Sequence, residues 1–329
     1  MTWLTWRQFR VPAASVYAAI AAIAVALAIT GPDLVGRTEF SDQDFMFGGT
    51  ILLLYLLPAV IGVFWGVPMV TRELETGTHN LVWNQSITRK RWLATKLGVG
   101  VLTTVVAAAL LSIAVTWWAA PIDAHASADP ESFELTRMAP VVFGARGIAP
   151  IGYAAFAFVL GVALGIALRR TVAAMAVTLA VFAAVMVAVP FLVRPYVIPP
   201  VEDTIAITAS NIGRITGNDS GVIESITVAE PAGAWVLANE TVDQSGAAVS
   251  PLPDAVQDCV PRPGRAATPP NRMSMTECLA QLSDLGYTQR VTYQPGNRFW
   301  GLQWIELGLF LALSALLAWF SFRRIRHLS

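Results

Sequence analysis

The sequence predicts an all-α integral membrane protein with six transmembrane helices, both termini in the cytoplasm, and a sizeable exterior segment between helices five and six. Three observations lead there. Of the 329 residues, 55% are hydrophobic and only 13% charged, with a mean hydropathy of +0.57, whereas a soluble domain carries about 25% charge. Six apolar runs, at 11–30, 48–70, 97–119, 150–168, 171–193 and 300–320, approach the roughly 20 residues that a helix needs to cross a bilayer. Lys and Arg gather in alternate connections between those runs.

The runs must be helices because hydrocarbon offers no water to an unpaired peptide group, and they lack the alternation of barrel strands. Helix one is longer than the roughly 7–15-residue apolar core of a secretory signal, so it is kept as a span. Ahead of it, "MTWLTWRQFR" mixes Trp3, Leu4, Trp6 and Phe9 with Arg7 and Arg10, which suits a separate helix lying on the inner leaflet. Pro58 and Pro68 in helix two, and Pro190 near the end of helix five, remove backbone donors and should bend or stop their helices. "GVFWG" (Gly62 to Gly66) and "GVALG" (Gly161 to Gly165) have the small-residue spacing that lets helices approach closely. Trp92, Trp117, Trp118, Trp300 and Trp304 fall at span ends and read as aromatic-belt anchors.

Orientation follows from the positive residues, which favour the cytoplasmic side. Arg7, Arg10, Arg72, Arg89, Lys90, Arg91, Lys96, Arg169, Arg170, Arg323, Arg324 and Arg326 all lie before helix one, between two and three, between four and five, or after six. The opposite loops are acidic, with Asp33, Glu39, Asp42 and Asp44 in one and Asp123, Asp129, Glu131 and Glu134 in the other. A multi-pass protein of a bacterial plasma membrane is expected, surrounded by lipid.

Three segments result. Residues 1–193 hold the interfacial helix and helices one to five, 194–299 form an extracellular loop or small domain, and 300–329 carry helix six and a basic tail. The middle segment is polar and Pro-rich; "TIAITAS" and "ESITVAE" permit short strands, and "MTECLAQLSDLGY" suits a helix. Cys259 and Cys278, the two cysteines of the chain, both fall in it. On the exterior side they are expected to form a disulfide worth on the order of 3 kcal/mol through the unfolded state.

Several chemistries are excluded. The charge balance, 22 basic against 22 acidic residues, points to no nucleic-acid partner. His79, His125 and His327 form no metal-ligand spacing, and no GxSxG nucleophile elbow occurs. The sequence has no Gly-Lys dipeptide, so it cannot build a GxxxxGK[ST] phosphate loop. The chain is expected to be no enzyme and to hold no cofactor or metal, so any ATP it depends on is bound elsewhere.

One polar block interrupts the apolar pattern: "RELETGTHNLVWNQSITRKRWLATK", Arg72 to Lys96. Gly77 and Thr78 break the helix leaving the membrane, and "HNLVWNQS" suits a short amphipathic helix with His79, Trp83 and Ile87 on one face. Ser86 or Thr88 can cap the next helix, whose first turn carries Arg89, Lys90 and Arg91. A charged inter-helix loop is commonly only solvated sequence, but its length, Trp83 and the acidic pair Glu73 and Glu75 indicate a partner. A second candidate lies in helix six, where Gln303 and Glu306 are one turn apart and Glu306 is the only acid within the six runs. Such a carboxylate either faces a pathway or gate or bonds a neighbouring helix.

"GVFWGVPMVTRELETGTHNLVWNQSITRKRWLATKL" and "VTYQPGNRFWGLQWIELGLFLALSALLAWFSFRRIR" resemble, respectively, the second-helix-and-loop and final-helix regions of actinobacterial ABC type-2 exporter permeases. The resemblance implies a permease homodimer forming the pathway and two copies of a cytoplasmic ABC ATPase that bind ATP and Mg. It also implies that the first cytoplasmic loop couples to the ATPase through Glu73, Glu75, Gly77, Thr78, His79, Trp83, Arg89, Lys90 and Arg91. The apolar spans suit drug-like or lipid-like cargo. Two other classes stay open: a membrane sensor or scaffold whose exterior segment binds a ligand or protein, and an ion-coupled carrier, which the scarcity of membrane-embedded acids disfavours.

Reduction should raise the intact mass by two hydrogen atoms, and alkylation without reductant should label neither cysteine. Alkylation of both thiols without reductant contradicts the bridge.

Overall fold

A computed structural model describes residues 2–37, 39–78, 88–128, 136–218, 222–253 and 275–326. The chain divides into two compact units: Met1–Ala126 with Ala139–Val197 and Asn297–Ser329, and Ser127–Met138 with Ile198–Gly296. Among the described residues six helical stretches are long and apolar enough to cross a membrane, here the first to sixth spans: Arg10–Leu34, Asp44–Glu75, Arg89–Ser127, Ala149–Leu168, Thr171–Val197 and Gly296–Arg326. Phe64, Ile113, Phe191, Leu192, Trp304 and Leu316 are each more than half exposed. Apolar side chains displayed on this scale suit hydrocarbon and not water.

The first helix is continuous from Thr2 to Thr30. Pro12 lies inside it without ending it, so the helix runs on through the stretch expected to be a separate interfacial element. The helix containing the third span is likewise longer than its apolar run, at 40 residues from Arg89 to Ala128. Thr88 starts it, its Oγ accepting the Arg91 N–H at 3.3 Å. At 1.5 Å per residue it measures about 60 Å, well beyond a hydrocarbon layer of about 30 Å.

The fourth span is the hub. From Ala149 to Ile166 every residue except Ile151 and Leu164 is buried, and glycines let two neighbours approach closely. A Cβ on Gly161 would lie 2.3 Å from the Gly62 carbonyl oxygen, and one on Gly66 would lie 2.5 Å from that of Phe158. "GVFWG" and "GVALG" therefore face each other across a backbone-to-backbone contact. On its other side, Gly152 leaves room for Leu307 and Phe310 of the sixth span. Phe310 packs edge-on against Tyr153 and Phe156, with centroids 4.8 and 5.4 Å away.

Pro68 and Pro190 neither stop nor simply kink their helices. Each adjoins or lies in a π-helical segment, Gly62–Gly66 and Val189–Val193 respectively. A proline lacks the amide an α-turn needs and its ring crowds the carbonyl four residues back; opening one turn to π geometry relieves both. The extra residue rotates everything after it by roughly 100° relative to an unbroken helix.

Two tryptophans expected at the membrane boundary lie inside. Trp92 and Trp118 are buried, and their indole N–H groups donate to Glu73 and Thr30, each at 3.0 Å. A polar partner within reach turns the ring inward. Trp117, Trp300 and Trp304 are exposed.

The second unit begins at Ile198 and takes in Ser127–Met138, so Arg194, expected outside the membrane region, belongs with the spans. Its strands are β1 (Val201–Ile205), β2 (Ile212–Gly217), β3 (Ile223–Val228), β4 (Trp235–Val242) and β5 (Thr288–Gln294). All pairings are antiparallel, giving β1-β5-β4 and β2-β3. β1 precedes most of "TIAITAS", whereas β3 covers much of "ESITVAE" and a helix spans Met275–Asp284. Asn239 on β4 joins the two sheets, its amide pairing with the Val228 N–H and carbonyl on β3 as a backbone neighbour would. Ile207, Ile223, Ile226, Leu252, Leu279 and Leu282 form the unit's own apolar core. Cys259, and with it the expected pairing to Cys278, lies outside the described residues.

Gly161→Val should destabilise the chain by about 1–3 kcal/mol through overpacking against the second span, lowering its thermal midpoint in detergent. Gly98→Ala, where an added Cβ meets nothing within 4 Å, should leave the midpoint unchanged or higher. Equal behaviour of the two variants contradicts the close packing.

Candidate functional site

Two polar clusters lie at opposite ends of the span bundle. The first is at the basic end, where the second, third, fourth and fifth spans have their Arg- and Lys-rich connections. Here the acidic pair of the second span divides between two neighbours. Glu73 accepts from Lys96 at 2.7 Å and from the Trp92 indole at 3.0 Å, both on the third span. Lys96 also donates to the Met69 carbonyl at 2.7 Å and lies 4.9 Å from the centre of the Trp92 ring. Only 4% of the Lys96 side chain is exposed, so its charge is stabilised by these groups and not by water.

Glu75 reaches a different helix. Its two carboxylate oxygens accept the backbone N–H of Thr171 at 2.6 Å and the Thr171 hydroxyl at 2.7 Å. The carboxylate therefore occupies the N-terminus of the fifth span, where unpaired amides and the helix dipole favour negative charge. The Thr171 hydroxyl also meets that of Thr71 at 2.7 Å. The connection before Thr171 is only two residues long; Arg169 takes a left-handed conformation, φ 55°, at a position where glycine is usual.

Between these ties the connection turns. The helix ends at Glu75, Gly77 adopts φ 71°, and the hydroxyls of Thr76 and Thr78 meet at 3.0 Å. Lys90 and Arg91 are exposed and Arg89 is half-buried at the start of the third span. His79 and Trp83, the remaining residues assigned to this loop by the resemblance, lie outside the described residues. Sequence spacing brought Glu73 and Glu75 to notice as a pair; it gave no hint that they bind separate helices.

The second cluster, at the opposite end, surrounds Glu306. Arg194 binds it through Nε to Oε2 at 2.8 Å and Nη2 to Oε1 at 2.9 Å, and Tyr153 donates its hydroxyl to Oε1. Arg194 also donates to the Pro140 carbonyl at 2.9 Å and stacks over the Phe143 ring at 4.3 Å. Arg194 is 2% exposed and Glu306 4%. Gln303, one turn away and fully buried, accepts the N–H groups of Ile148 and Ala149 at 2.9 and 2.8 Å and donates to the Phe143 carbonyl at 2.9 Å. It thereby caps the N-terminus of the fourth span.

Gln303 and Glu306 thus form one network joining the fourth, fifth and sixth spans. A shallow groove beside Arg194 and Glu306 is lined otherwise by apolar side chains, including Val193, Val197, Ile305 and Leu309. Sequence reasoning missed Arg194. Its signal was available: a cation between Pro190 and Pro195, directly at the outer end of an apolar run.

A third pair, Asp123 with Arg146 at 3.1 Å, ties the third span to the loop before the fourth. Asp123 was expected in an acidic loop; it lies on the long helix instead. Burial pulls the Arg146 guanidinium below its ordinary pKa, with the Asp123 charge opposing. The same loop is fixed at Gly147, whose carbonyl accepts from Ser112 at 2.6 Å and whose N–H donates to Thr116 at 3.0 Å. Gly147 has φ 63°, and a Cβ there would lie 3.0 Å from Gln303, so both conformation and space call for glycine. Among the described residues no group of three or more His, Cys, Asp or Glu is placed to hold a metal ion.

Residues 35–194 match the family model described as ABC-2 membrane transporter related. That stretch, just short of half the chain, covers the second, third and fourth spans, the connection carrying Glu73 and Glu75, and the fifth span as far as Arg194. The match supports a transporter membrane component. Neither a curated protein nor a solved structure matches the chain.

Arg194→Met and Glu306→Leu should each destabilise the chain by about 3–5 kcal/mol, because either leaves a buried charge without its counter-ion. The double variant should be less destabilised than the sum of the two. Additive losses in thermal unfolding contradict the pairing.

Proposed function

We propose that this chain is the permease subunit of an ABC-2-class exporter, a dimer in a bacterial plasma membrane driven by two copies of a cytoplasmic ATPase that bind ATP and Mg. The observation that carries the reading is the family match over residues 35–194. The absence of a Gly-Lys dipeptide agrees with a division of labour in which nucleotide is bound by another polypeptide.

In this reading the connection between the second and third spans receives the stroke of the ATPase. Glu73, Glu75, Gly77, Thr78, His79, Trp83, Arg89, Lys90 and Arg91 make up the receiving surface. What supports a mechanical role is the bonding of the acidic pair: a displacement of this connection is borne by the third span through Glu73–Lys96 and by the fifth through Glu75–Thr171. A force passes between subunits only through a stiff, anchored element. The cargo is an amphipathic compound, drug-like or lipid-like, and the direction is outward.

A second reading, a membrane sensor or scaffold, is favoured by one observation: the second unit has its own apolar core and sheet. Co-purification discriminates the two. A permease retains a soluble ATPase; a sensor need not.

Trp83→Ala and Glu75→Lys should lower transport and cargo-stimulated ATP hydrolysis by about fivefold or more while membrane insertion stays normal. The chain reconstituted alone in liposomes should be inert towards cargo. Wild-type transport by both variants contradicts the coupling role, and uphill transport by the isolated chain contradicts the whole reading.

A further inference from the structure

The fifth span is held at both ends by carboxylates that belong to other spans. At the basic end Glu75 of the second span accepts both the N–H and the hydroxyl of Thr171. At the far end Glu306 of the sixth span accepts two N–H groups of Arg194. The two grips are about 35 Å apart along the helix axis, from 23 intervening steps of 1.5 Å. Between them the outer surface makes few attachments: Val172, Val177, Leu179 and Val187 are exposed, while Ala174, Thr178 and Phe182 face inward and are buried.

The lower grip is stiff for a backbone reason. The two-residue turn from the fourth span passes through left-handed Arg169 and extended Arg170, leaving little slack between the spans. Thr171 then offers two donors to one carboxylate, which fixes the direction of the first helical turn as well as its position. The upper grip has a different stiffness. It comes directly after the π segment Val189–Val193, and the residue opened there turns Arg194 inward towards Glu306. Rotation or translation of the helix at Thr171 therefore reaches the Arg194–Glu306 pair through a continuous hydrogen-bonded rod whose one compliant turn lies beside that pair.

We propose that the fifth span is a transmission rod, and that Thr171 is the positioning residue that makes it follow Glu75, so displacement at the basic end is delivered to the Arg194–Glu306 pair. Where the displacement comes from rests on the permease reading; the mechanical link between the two grips does not. Thr76, next to Glu75 in the chain, serves as the internal contrast, since its exposed hydroxyl bonds the Arg72 carbonyl and Thr78 and not the fifth span.

The test uses the full-length chain in lipid nanodiscs without any ATPase, and reads amide hydrogen exchange by mass spectrometry. Glu75→Ala and Thr171→Val should each raise exchange in the first two turns of the fifth span and, by about fivefold, in the distant stretch 186–197. Thr171→Ser, which restores the hydroxyl, should return both regions to wild-type protection. Thr76→Val should leave 186–197 unchanged. A merely local role for Thr171 predicts loosening of the first two turns alone. That result, or no change at either end, overturns the proposal. Failure of the wild-type chain to retain an ATPase would remove the permease reading without altering this outcome.

Discussion

Hydrocarbon supplies no hydrogen bonds, so every ionisable group buried among the spans must be answered by another part of the same chain. This constraint organises the molecule more than any single apolar contact does. Lys96 is answered by Glu73, Arg194 by Glu306 and Arg146 by Asp123. The first two pairs join different spans; the third joins a span to the loop before the next. Glu75 adds a fourth tie, to a helix terminus and not to a cation. Because a broken pair leaves an isolated charge, these contacts act as registration pins: they fix which faces meet at the two ends of the bundle.

Between the ends, registration passes to backbone contact. Gly62 and Gly66 on the second span meet Gly161 on the fourth at distances no side chain could share. In a membrane, where helices gain little by leaving lipid for one another, dispersion over such close surfaces is a principal attraction. The π segment Gly62–Gly66 is at this contact, and a second π segment precedes Arg194. Both are associated with proline, and both turn the residues after them to a new face. Local chain chemistry and long-range polar pairing are therefore linked: the proline at 190 is part of the reason that Arg194 meets Glu306.

The candidate site was legible in part. The block from Arg72 to Lys96 stood out by polarity alone, and Glu306 by its isolation among apolar residues. Neither its partner nor its setting could be read, because a carboxylate in a span has the same sequence signature whether it lines a path or closes an ion pair. Trp92 shows the same limit from the other side. A tryptophan at a span end suits the interfacial belt, yet a carboxylate 19 positions earlier draws this one inside. The second unit was harder still: its edges depend on which distant segments pair, and Asn239 completes the sheet with a side chain that no strand pattern anticipates.

The number of spans, their order, and the connections that carry positive charge follow from the residues alone. These derive from length and transfer free energy, which are properties of each segment taken alone. It took the packed helices to show that Glu73 and Glu75 serve two different helices, that Thr171 receives one of them, and that Arg194 is buried against Glu306. Those outcomes depend on rotation about each helix axis, which π segments, glycine contacts and polar pairs settle jointly and which no single segment encodes.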